Sequence, residues 1–201
     1  MEILLIRHGQ SERPGGGQVD IPLSKAGHAE ARATGRMLKE AGITRIYSSP
    51  LSRALKTASI IGSEIGREPI PDPHLMERSH GKFDGMTREE LAVQYPEELA
   101  RNRARPLEAA PGGESFHDVV ARVDAFLRIR IDDCDDQDIV AVVSHGNFMN
   151  IFLMRILQIP ENLYPLFHFD TASVSSVAAF DAPGQFRLRY VNRLPGRGLG
   201  F

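Results

Sequence analysis

The sequence has one cysteine in 201 residues, no excess of either charge and no long hydrophobic run. The lone Cys134 excludes an internal disulfide and any zinc or iron–sulfur site built from several cysteines, which favours a reducing compartment. The 24 basic residues nearly balance the 26 acidic ones, and this argues against a dedicated nucleic-acid-binding protein. The apolar stretch from Ile3 to Ile6 is far too short for a signal peptide or a membrane span. We therefore expect a cytoplasmic protein that binds neither nucleic acid nor membranes.

The apolar pattern predicts a single α/β domain over residues 1–201. Continuous apolar runs at residues 3–6 and 139–143 are typical of strands covered on both faces. Further strands are predicted at residues 45–48, 173–180 and 186–191, and helices at about 25–41, 50–65, 116–127 and 148–157. Alternating strands and helices favour a three-layer α/β/α sandwich with a mostly parallel central sheet.

Three segments lack a regular pattern. Residues 14–17 (PGGG) are interpreted as an exposed, mobile loop, and residues 193–201 as a loose tail. Residues 67–113 are rich in proline, glycine and charge, and only a capping box that begins at Thr87 predicts a short helix there. The acidic run at residues 132–138 is interpreted as a solvated turn, because its spacing does not suit a cation site.

Short basic motifs end three of the predicted strands. They are residues 7–9 (RHG), 48–53 (SSPLSR) and 144–146 (SHG). Ligands of an open α/β sheet bind beyond the carboxyl ends of its strands, so the sheet would bring these motifs to one edge. Two histidines and two arginines there, close to a helix N-terminus, form a pocket for a dianion such as a phosphoryl group.

This set of side chains suits phosphoryl transfer. A neutral imidazole can attack phosphorus and carry the phosphoryl group covalently. Guanidinium groups bind phosphate oxygens in pairs and stabilise the charge of the transition state. A second histidine, protonated beside the phosphate, would add a charged donor, and a carboxylic acid would protonate the leaving alcohol.

Six blocks of the sequence resemble, in order, the motifs of the histidine phosphatase superfamily, which includes the cofactor-dependent phosphoglycerate mutases. They are residues 4–12 (LLIRHGQSE), 20–24 (DIPLS), 48–54 (SSPLSRA), 75–78 (LMER), 111–115 (PGGES) and 144–146 (SHG). A lone RHG triplet is a weak signal, but this ordered set spans nearly the whole chain. The resemblance implies a phosphoglycerate mutase-like fold.

The resemblance also implies roles for single residues. His8 would be the nucleophile, and Glu77 the proton donor, with Glu12 and Glu114 as competitors for the second role. The residues implied in binding the phosphoryl group or the substrate are Arg7, Arg53, His145, Gly146, Ser11, Arg78 and Asn147. No metal or cofactor is implied, since arginine and histidine charges replace the ion that many phosphatases use.

Residues 67–113 correspond to the segment that determines specificity and covers the site in this family. If they do so here, His80 and the cluster of Arg101, Arg103 and Arg105 could reach an anionic substrate.

The predicted function is a metal-independent phosphomonoester hydrolase that works through phosphohistidine. The alternative is a phosphoglycerate mutase-like phosphotransferase, which Arg78 and Asn147 favour. Pro14 stands where mutases carry asparagine, and the chain lacks the additional segments with which mutases exclude water. A phosphate-binding protein without turnover is less favoured, because every catalytic position is filled. We expect a small phosphorylated substrate and a monomer or homodimer.

Overall fold

The protein is described by a computed structural model that covers residues 1–180 and 184–196. Its strands are β1 (Glu2–Arg7), β2 (Arg45–Ser48), β3 (Ile70–Pro71), β4 (Ile139–Ser144), β5 (Val174–Ala179) and β6 (Phe186–Arg193). Its α-helices are α1 (Lys25–Met37), α2 (Ser52–Ile65), α3 (Arg88–Gln94), α4 (Pro96–Ala104), α5 (Phe116–Phe126) and α6 (Gly146–Ile156). All predicted strands and helices are present, and their ends differ from the predictions by a few residues.

The strands form one sheet in the order β3-β2-β4-β1-β5-β6. Neighbours from β3 to β1 are parallel, whereas β5 and β6 are antiparallel to the strands beside them. The predicted mostly parallel sheet is therefore confirmed. The carboxyl ends of β2, β4 and β1 lie next to one another at one edge.

The two central strands divide their side chains between two cores. Ile3 and Leu5 of β1 pack with residues of α5 and α6, including Phe126 and Phe152. The alternate side chains of the same strand pack with residues of α1 and α2 on the opposite face. Successive strand residues point to opposite faces, so a continuous apolar run fills both cores. This arrangement confirms the three-layer sandwich.

A loop residue caps α2 and joins two of the sequence blocks. The helix begins at Ser52 rather than at Pro50. Ser52 donates to Asp20 from its backbone nitrogen and from its hydroxyl, both at 2.7 Å. These hydrogen bonds lower the pKa of the Asp20 carboxyl. Leu51, the residue before α2, makes no capping hydrogen bond with its side chain. The Asp20 side chain caps the helix instead.

The segment 67–113 contains more structure than the sequence predicts. Thr87 opens α3 with the predicted capping box. The helix α4 was not predicted, although Pro96 at its first turn is a recognised start signal. Neither α3 nor α4 has a buried residue. The two helices therefore lie outside the hydrophobic core.

The carboxyl-terminal prediction is partly wrong. Arg193 is the last residue of β6 and not the start of a loose tail. The rest of that predicted tail, beyond residue 196, lies outside the described residues. No helix in the described ranges is long and apolar enough to cross a membrane.

Candidate active site

The sheet brings the predicted basic side chains together at one edge. The chain leaves β1 through Arg7 and His8, leaves β4 through His145, and leaves β2 through Ser49. A hydrogen bond of 2.9 Å from the His8 nitrogen to the Ser144 carbonyl continues the ladder past the end of β1. Since β2, β4 and β1 are adjacent and parallel, these residues lie side by side.

His8 has the geometry of a nucleophilic imidazole. Its ring is buried, and Nδ1 lies 2.7 Å from the carbonyl oxygen of Gly9. A carbonyl can only accept, so Nδ1 carries the hydrogen and the lone pair is on Nε2. Burial, assisted by the charges of Arg53 and Arg7, lowers the pKa of His8 from 6.5 to about 3. The ring is therefore neutral at pH 7, and Nε2 is able to attack phosphorus.

His145 is positioned by a serine at the end of β2. The His145 and His8 ring centroids are 5.0 Å apart. His145 Nε2 lies 2.8 Å from Ser49 Oγ. The same hydroxyl oxygen accepts a hydrogen bond from the Leu51 backbone nitrogen at 3.3 Å. The buried Ser49 hydroxyl needs an acceptor for its proton, and His145 Nε2 is the one beside it. The ring hydrogen of His145 is then on Nδ1.

The free nitrogen of His145 is a donor without a partner. Nδ1 is buried, and none of the described protein atoms accepts from it. Burial, followed by the charges of His8, Arg53 and Arg7, keeps the pKa of His145 well below 6.5. With the protein charges alone the ring is therefore neutral, and its protonation beside a phosphoryl group stays a prediction. Its Nδ1–H can still donate to a phosphoryl oxygen, and a nearby dianion would raise the pKa of the ring.

The two arginines are held in different ways. Arg7 Nη1 donates to the Phe169 carbonyl at 2.6 Å, whereas Arg7 Nε is buried without a partner among the described residues. Arg53 is only 3% exposed, and it donates to the carbonyls of Val19 at 2.7 Å and Gly17 at 2.8 Å. Arg53 is thus an anchor for a loop as well as a source of positive charge, a contact that the sequence did not indicate.

The glycine-rich loop is packed against the site, so the predicted exposure is right only for Pro14, and the predicted mobility stays a prediction. Gly17 is buried, and the backbone nitrogen of Gly85 donates to the Gly16 carbonyl at 2.9 Å. Gly17 has a φ of +73°, and a Cβ there would lie 1.6 Å from Asp84 Oδ1. Only glycine allows this backbone conformation and this close approach together.

Glu77 lies at the N-terminus of α6 and is 7% exposed. Its Oε1 accepts from the backbone nitrogens of Phe148 and Arg78, both at 2.9 Å. Its Oε2 has one longer contact, to the Asn147 nitrogen at 3.2 Å. The amides of Asn147 and Phe148 have no partner within the helix because they lie in the first turn of α6, which begins at Gly146, two residues before the predicted start. Oε2 is therefore the oxygen better placed to exchange a proton with a substrate.

The two competing carboxylates are placed less favourably. Glu12 is exposed. Glu114 forms a bidentate ion pair with Arg122, which donates to its Oε1 at 2.8 Å and to its Oε2 at 2.9 Å. Arg122 also donates to the Glu77 carbonyl at 3.3 Å. Glu114 thus contributes to the support of Glu77, and it is not itself placed as the proton donor.

Two of the other predicted binding residues lie beside the cluster. Gly146 is the first residue of α6, and a Cβ there would lie 3.9 Å from Arg7 Nε. The next residue, Asn147, accepts from the hydroxyl of Tyr164 at 3.0 Å through its side-chain oxygen. Gly146 therefore presents its backbone amide at the helix N-terminus beside Arg7, whereas the amide of Asn147 contacts Glu77.

Ser11 and Arg78 are engaged elsewhere. The Ser11 hydroxyl donates to the Arg13 carbonyl at 2.9 Å. Arg78 is buried, and its guanidinium is occupied by three backbone carbonyls. These belong to Glu114 at 2.9 Å, Pro106 at 2.7 Å and Glu108 at 2.6 Å. The side chain of Arg78 thus holds residues 106–114 close to the backbone of Glu77.

Sequence reasoning missed three supporting residues. Ser49 lies within a recognised block, so the resemblance contained a signal for it. Arg122 and Gln18 hold the segment around Glu77, where Gln18 Nε2 donates to the Glu77 carbonyl at 2.9 Å. Most of their partners are backbone carbonyls, which every residue has, so the sequence does not indicate these contacts.

A cavity of about 500 Å³ opens beside the site. His80 and the predicted arginine cluster (Arg101, Arg103 and Arg105) line it together. A larger cavity of about 1030 Å³ lies near Met1 and Phe180, away from these residues. Within residues 1–180 and 184–196, no group of three or more His, Cys, Asp and Glu side chains is placed to hold a metal ion.

The fold and the site define an α/β protein in which two histidines and two arginines lie together at the carboxyl edge of the sheet. The family model of the histidine phosphatase superfamily (branch 1) matches residues 3–193. The chain belongs to this superfamily, which confirms the resemblance found in the sequence.

Known relatives include phosphatases and a mutase. The chain is 33% identical over 163 residues to 2,3-bisphosphoglycerate-dependent phosphoglycerate mutase 2 of Gloeobacter violaceus, covering 77% of this chain and 74% of that one. It is 34% identical over 196 residues to the bifunctional protein Rv2228c of Mycobacterium tuberculosis, covering 95% of this chain but only 53% of that protein. The mycobacterial glucosyl-3-phosphoglycerate phosphatase Rv2419c, solved with inorganic phosphate, superposes with a TM-score of 0.85 at 28% identity. That match covers 98% of this chain and 99% of the other. The predicted class, a phosphatase of this superfamily, is confirmed.

Proposed function

We propose that this chain hydrolyses small phosphate monoesters through a phosphohistidine formed at His8. The observation that carries the proposal is the neutral, buried ring of His8, whose Nδ1–H is held by the Gly9 carbonyl. Two buried donors that have no partner among the described residues, Arg7 Nε and His145 Nδ1, belong to the same cluster. A nucleophile beside unsatisfied donors is the arrangement that a phosphoryl group would complete.

The reaction proceeds in two displacements. In the first, a bond forms between His8 Nε2 and phosphorus while the ester P–O bond breaks, and protonated Glu77 gives its proton to the leaving alcohol. In the second, a water oxygen bonds to phosphorus while the N–P bond breaks, and the Glu77 carboxylate takes a proton from that water. Inorganic phosphate leaves, and both side chains return to their starting forms.

The surrounding residues hold the oxygens of the phosphoryl group. We assign this role to Arg7, Arg53 and His145, with the backbone amide of Gly146. Asn147 and Ser11 are proposed as further substrate contacts. Arg78 is proposed as a positioning residue, because its guanidinium already donates to three carbonyls.

The similarity to a mutase makes phosphoryl transfer between phosphoglycerates the second candidate. This reaction uses the same residues but returns the phosphoryl group to a substrate hydroxyl, which requires that water be excluded. Pro14 is exposed in the loop where mutases carry asparagine, and neither α3 nor α4 has a buried residue. We therefore favour hydrolysis.

Trapping of the intermediate tests the proposal. The enzyme is mixed with a 32P-labelled aryl phosphate and quenched, and label that is stable in base but labile in acid is measured on the protein. We expect such label on the wild type and none on His8→Asn. Turnover without any labelled enzyme would overturn the proposed mechanism. Rapid exchange between 2- and 3-phosphoglycerate, primed by a bisphosphate and exceeding hydrolysis, would instead support the mutase.

The remaining expectations about this chain stay predictions. They are a cytoplasmic location, a monomeric or homodimeric state, and the absence of nucleic-acid binding. Size-exclusion chromatography with light scattering measures the second of these directly.

A further inference from the structure

The cavity beside the site has the size and position of a binding site for the rest of the substrate. Its volume of about 500 Å³ falls within the range of roughly 300–1,000 Å³ that is typical of small-molecule sites. Gly16 and Asn147 are two of its lining residues. Gly16 precedes the glycine whose carbonyl binds Arg53, and the nitrogen of Asn147 contacts Glu77 Oε2. The cavity therefore begins where the leaving alcohol would separate from phosphorus.

One part of the cavity wall is apolar. Four large side chains line it: Phe83 and Met86, which precede α3, Leu91 of α3 and Leu99 of α4. Phe83 is already buried, but a small polyol or a three-carbon acid would leave Met86, Leu91 and Leu99 partly in contact with water. A ligand with an apolar body would remove them from water, which is favourable in proportion to the area buried.

The other part of the wall is positively charged. Arg101 and Arg105 share the carboxylate of Glu108, at 3.3 and 3.2 Å. Arg88 and Arg103 also line the cavity, and neither forms an ion pair within the described part of the chain. A negatively charged group entering the cavity would therefore meet guanidinium groups that no carboxylate neutralises.

We infer that this cavity binds the alcohol part of the phosphate ester, and that this alcohol joins an apolar body to a negatively charged group. The inference rests on the proposed hydrolysis, because it assigns the cavity to the leaving alcohol. It excludes small neutral alcohols and three-carbon acids as the preferred leaving groups.

Three esters of primary alcohols test the inference with the reacting bond kept constant. They are propyl phosphate, 3-phenylpropyl phosphate and 3-(4-carboxyphenyl)propyl phosphate, compared by kcat/KM. We expect kcat/KM to rise about tenfold from the first to the second, because the ring is buried. A further rise of about threefold is expected for the third, since its carboxylate meets partly exposed arginines.

A double variant separates the charge from the shape of the cavity. In Arg88→Ala/Arg103→Ala, the third ester should lose its advantage over the second, while the ratio of the second to the first stays unchanged. The matched control is Arg32→Ala/Arg36→Ala, which removes two exposed arginines of α1 and should change neither ratio.

The outcomes distinguish this inference from the proposed function. Equal kcat/KM for all three esters would overturn the inference and leave the hydrolase intact. A third ester poorer than the second would overturn the assignment of a negatively charged group. If no ester is hydrolysed by a folded protein that also fails to acquire phosphohistidine, the proposed function itself fails.

Discussion

The two sides of the active site differ in how deeply their side chains are buried. The floor, defined as Arg7, His8, Arg53, Glu77 and His145, lies at the strand ends and at the start of α6. Four of its five side chains are 7% exposed or less. The roof, defined as residues 83–111, includes α3 and α4, which bury no residue, and its arginines are exposed.

This difference separates chemistry from selectivity. Removing a floor side chain leaves buried polar atoms without partners, which is costly whatever the substrate. Changing an exposed roof residue alters only what the substrate meets in the cavity. Floor variants should therefore depress the turnover of every phosphate ester, whereas roof variants should change the ratio between esters.

The replacement His8→Asn should give the largest effect. Without a nucleophile the covalent route is closed, and we expect kcat to fall by about 10⁴-fold or more for every ester. Steady-state hydrolysis of 4-nitrophenyl phosphate and of the three alkyl esters measures this. The matched control is His117→Asn, which changes an exposed histidine of α5. A residual rate in His8→Asn within tenfold of the wild type would show that another group takes the phosphoryl group.

Replacing Glu77 should slow esters according to how much their leaving group needs a proton, and not according to how they contact the roof. In Glu77→Gln, the first displacement for alkyl esters should slow by about 10²–10⁴-fold, because general acid catalysis is lost. A 4-nitrophenolate leaving group needs little protonation, so its transfer to His8 should slow far less. Burst kinetics measure this step, and Glu12→Gln, an exposed carboxylate of the competing set, is the control. An equal penalty for both leaving groups would remove Glu77 from the role of proton donor.

Ser49 tests whether the floor depends on a particular tautomer. Ser49→Ala removes the hydroxyl that satisfies His145 Nε2, so the ring hydrogen is no longer directed to Nδ1. We expect kcat to fall by about tenfold with little change in the ratio between esters, because one donor to the phosphoryl group becomes misplaced. The 15N chemical shifts of His145 report the tautomer directly, which distinguishes positioning from a general loss of packing.

The control for Ser49→Ala is its neighbour. Ser48→Ala removes an equally buried hydroxyl that donates to the Ser49 carbonyl at 2.9 Å. It should leave the His145 nitrogen shifts as they are in the wild type. If both variants shift those resonances alike, Ser49 has no specific role.

The floor could be predicted because its main residues follow strands directly. His8 and His145 each end a continuous apolar run, so the topology of a parallel sheet is enough to bring them together. Glu77 lies in an irregular segment, and only the family resemblance indicated it. Its actual support comes from Arg122, whose partners are largely carbonyl groups, and any sequence could supply those.

The errors arise where tertiary contacts override local composition. Residues 15–17 have the composition of a flexible linker, but the turn that contains Asp84 and Gly85 packs against them. The lowered pKa of His145 could not be predicted for a similar reason, because complete burial outweighs the ordinary preference of the side chain. Composition does not report which distant segment will cover a residue.

The lowered pKa of His8 should reduce the free energy of unfolding in acid. The pKa of His8 is about 3 when folded, against 6.5 when unfolded, so the unfolded chain binds a proton that the folded site refuses. This contribution is fully present above pH 6.5 and is lost as the pH falls toward 3. It amounts to about 2 kcal/mol by pH 5.

His8→Asn should therefore lose about 2 kcal/mol less unfolding free energy than the wild type between pH 7 and pH 5, as measured by urea denaturation. The carboxyl of Asp20 has a lowered pKa, so it acts at lower pH and affects both proteins equally. His117→Asn removes an exposed histidine and should follow the wild type. Parallel losses in His8→Asn and the wild type would mean that His8 does not contribute to the loss of stability in acid.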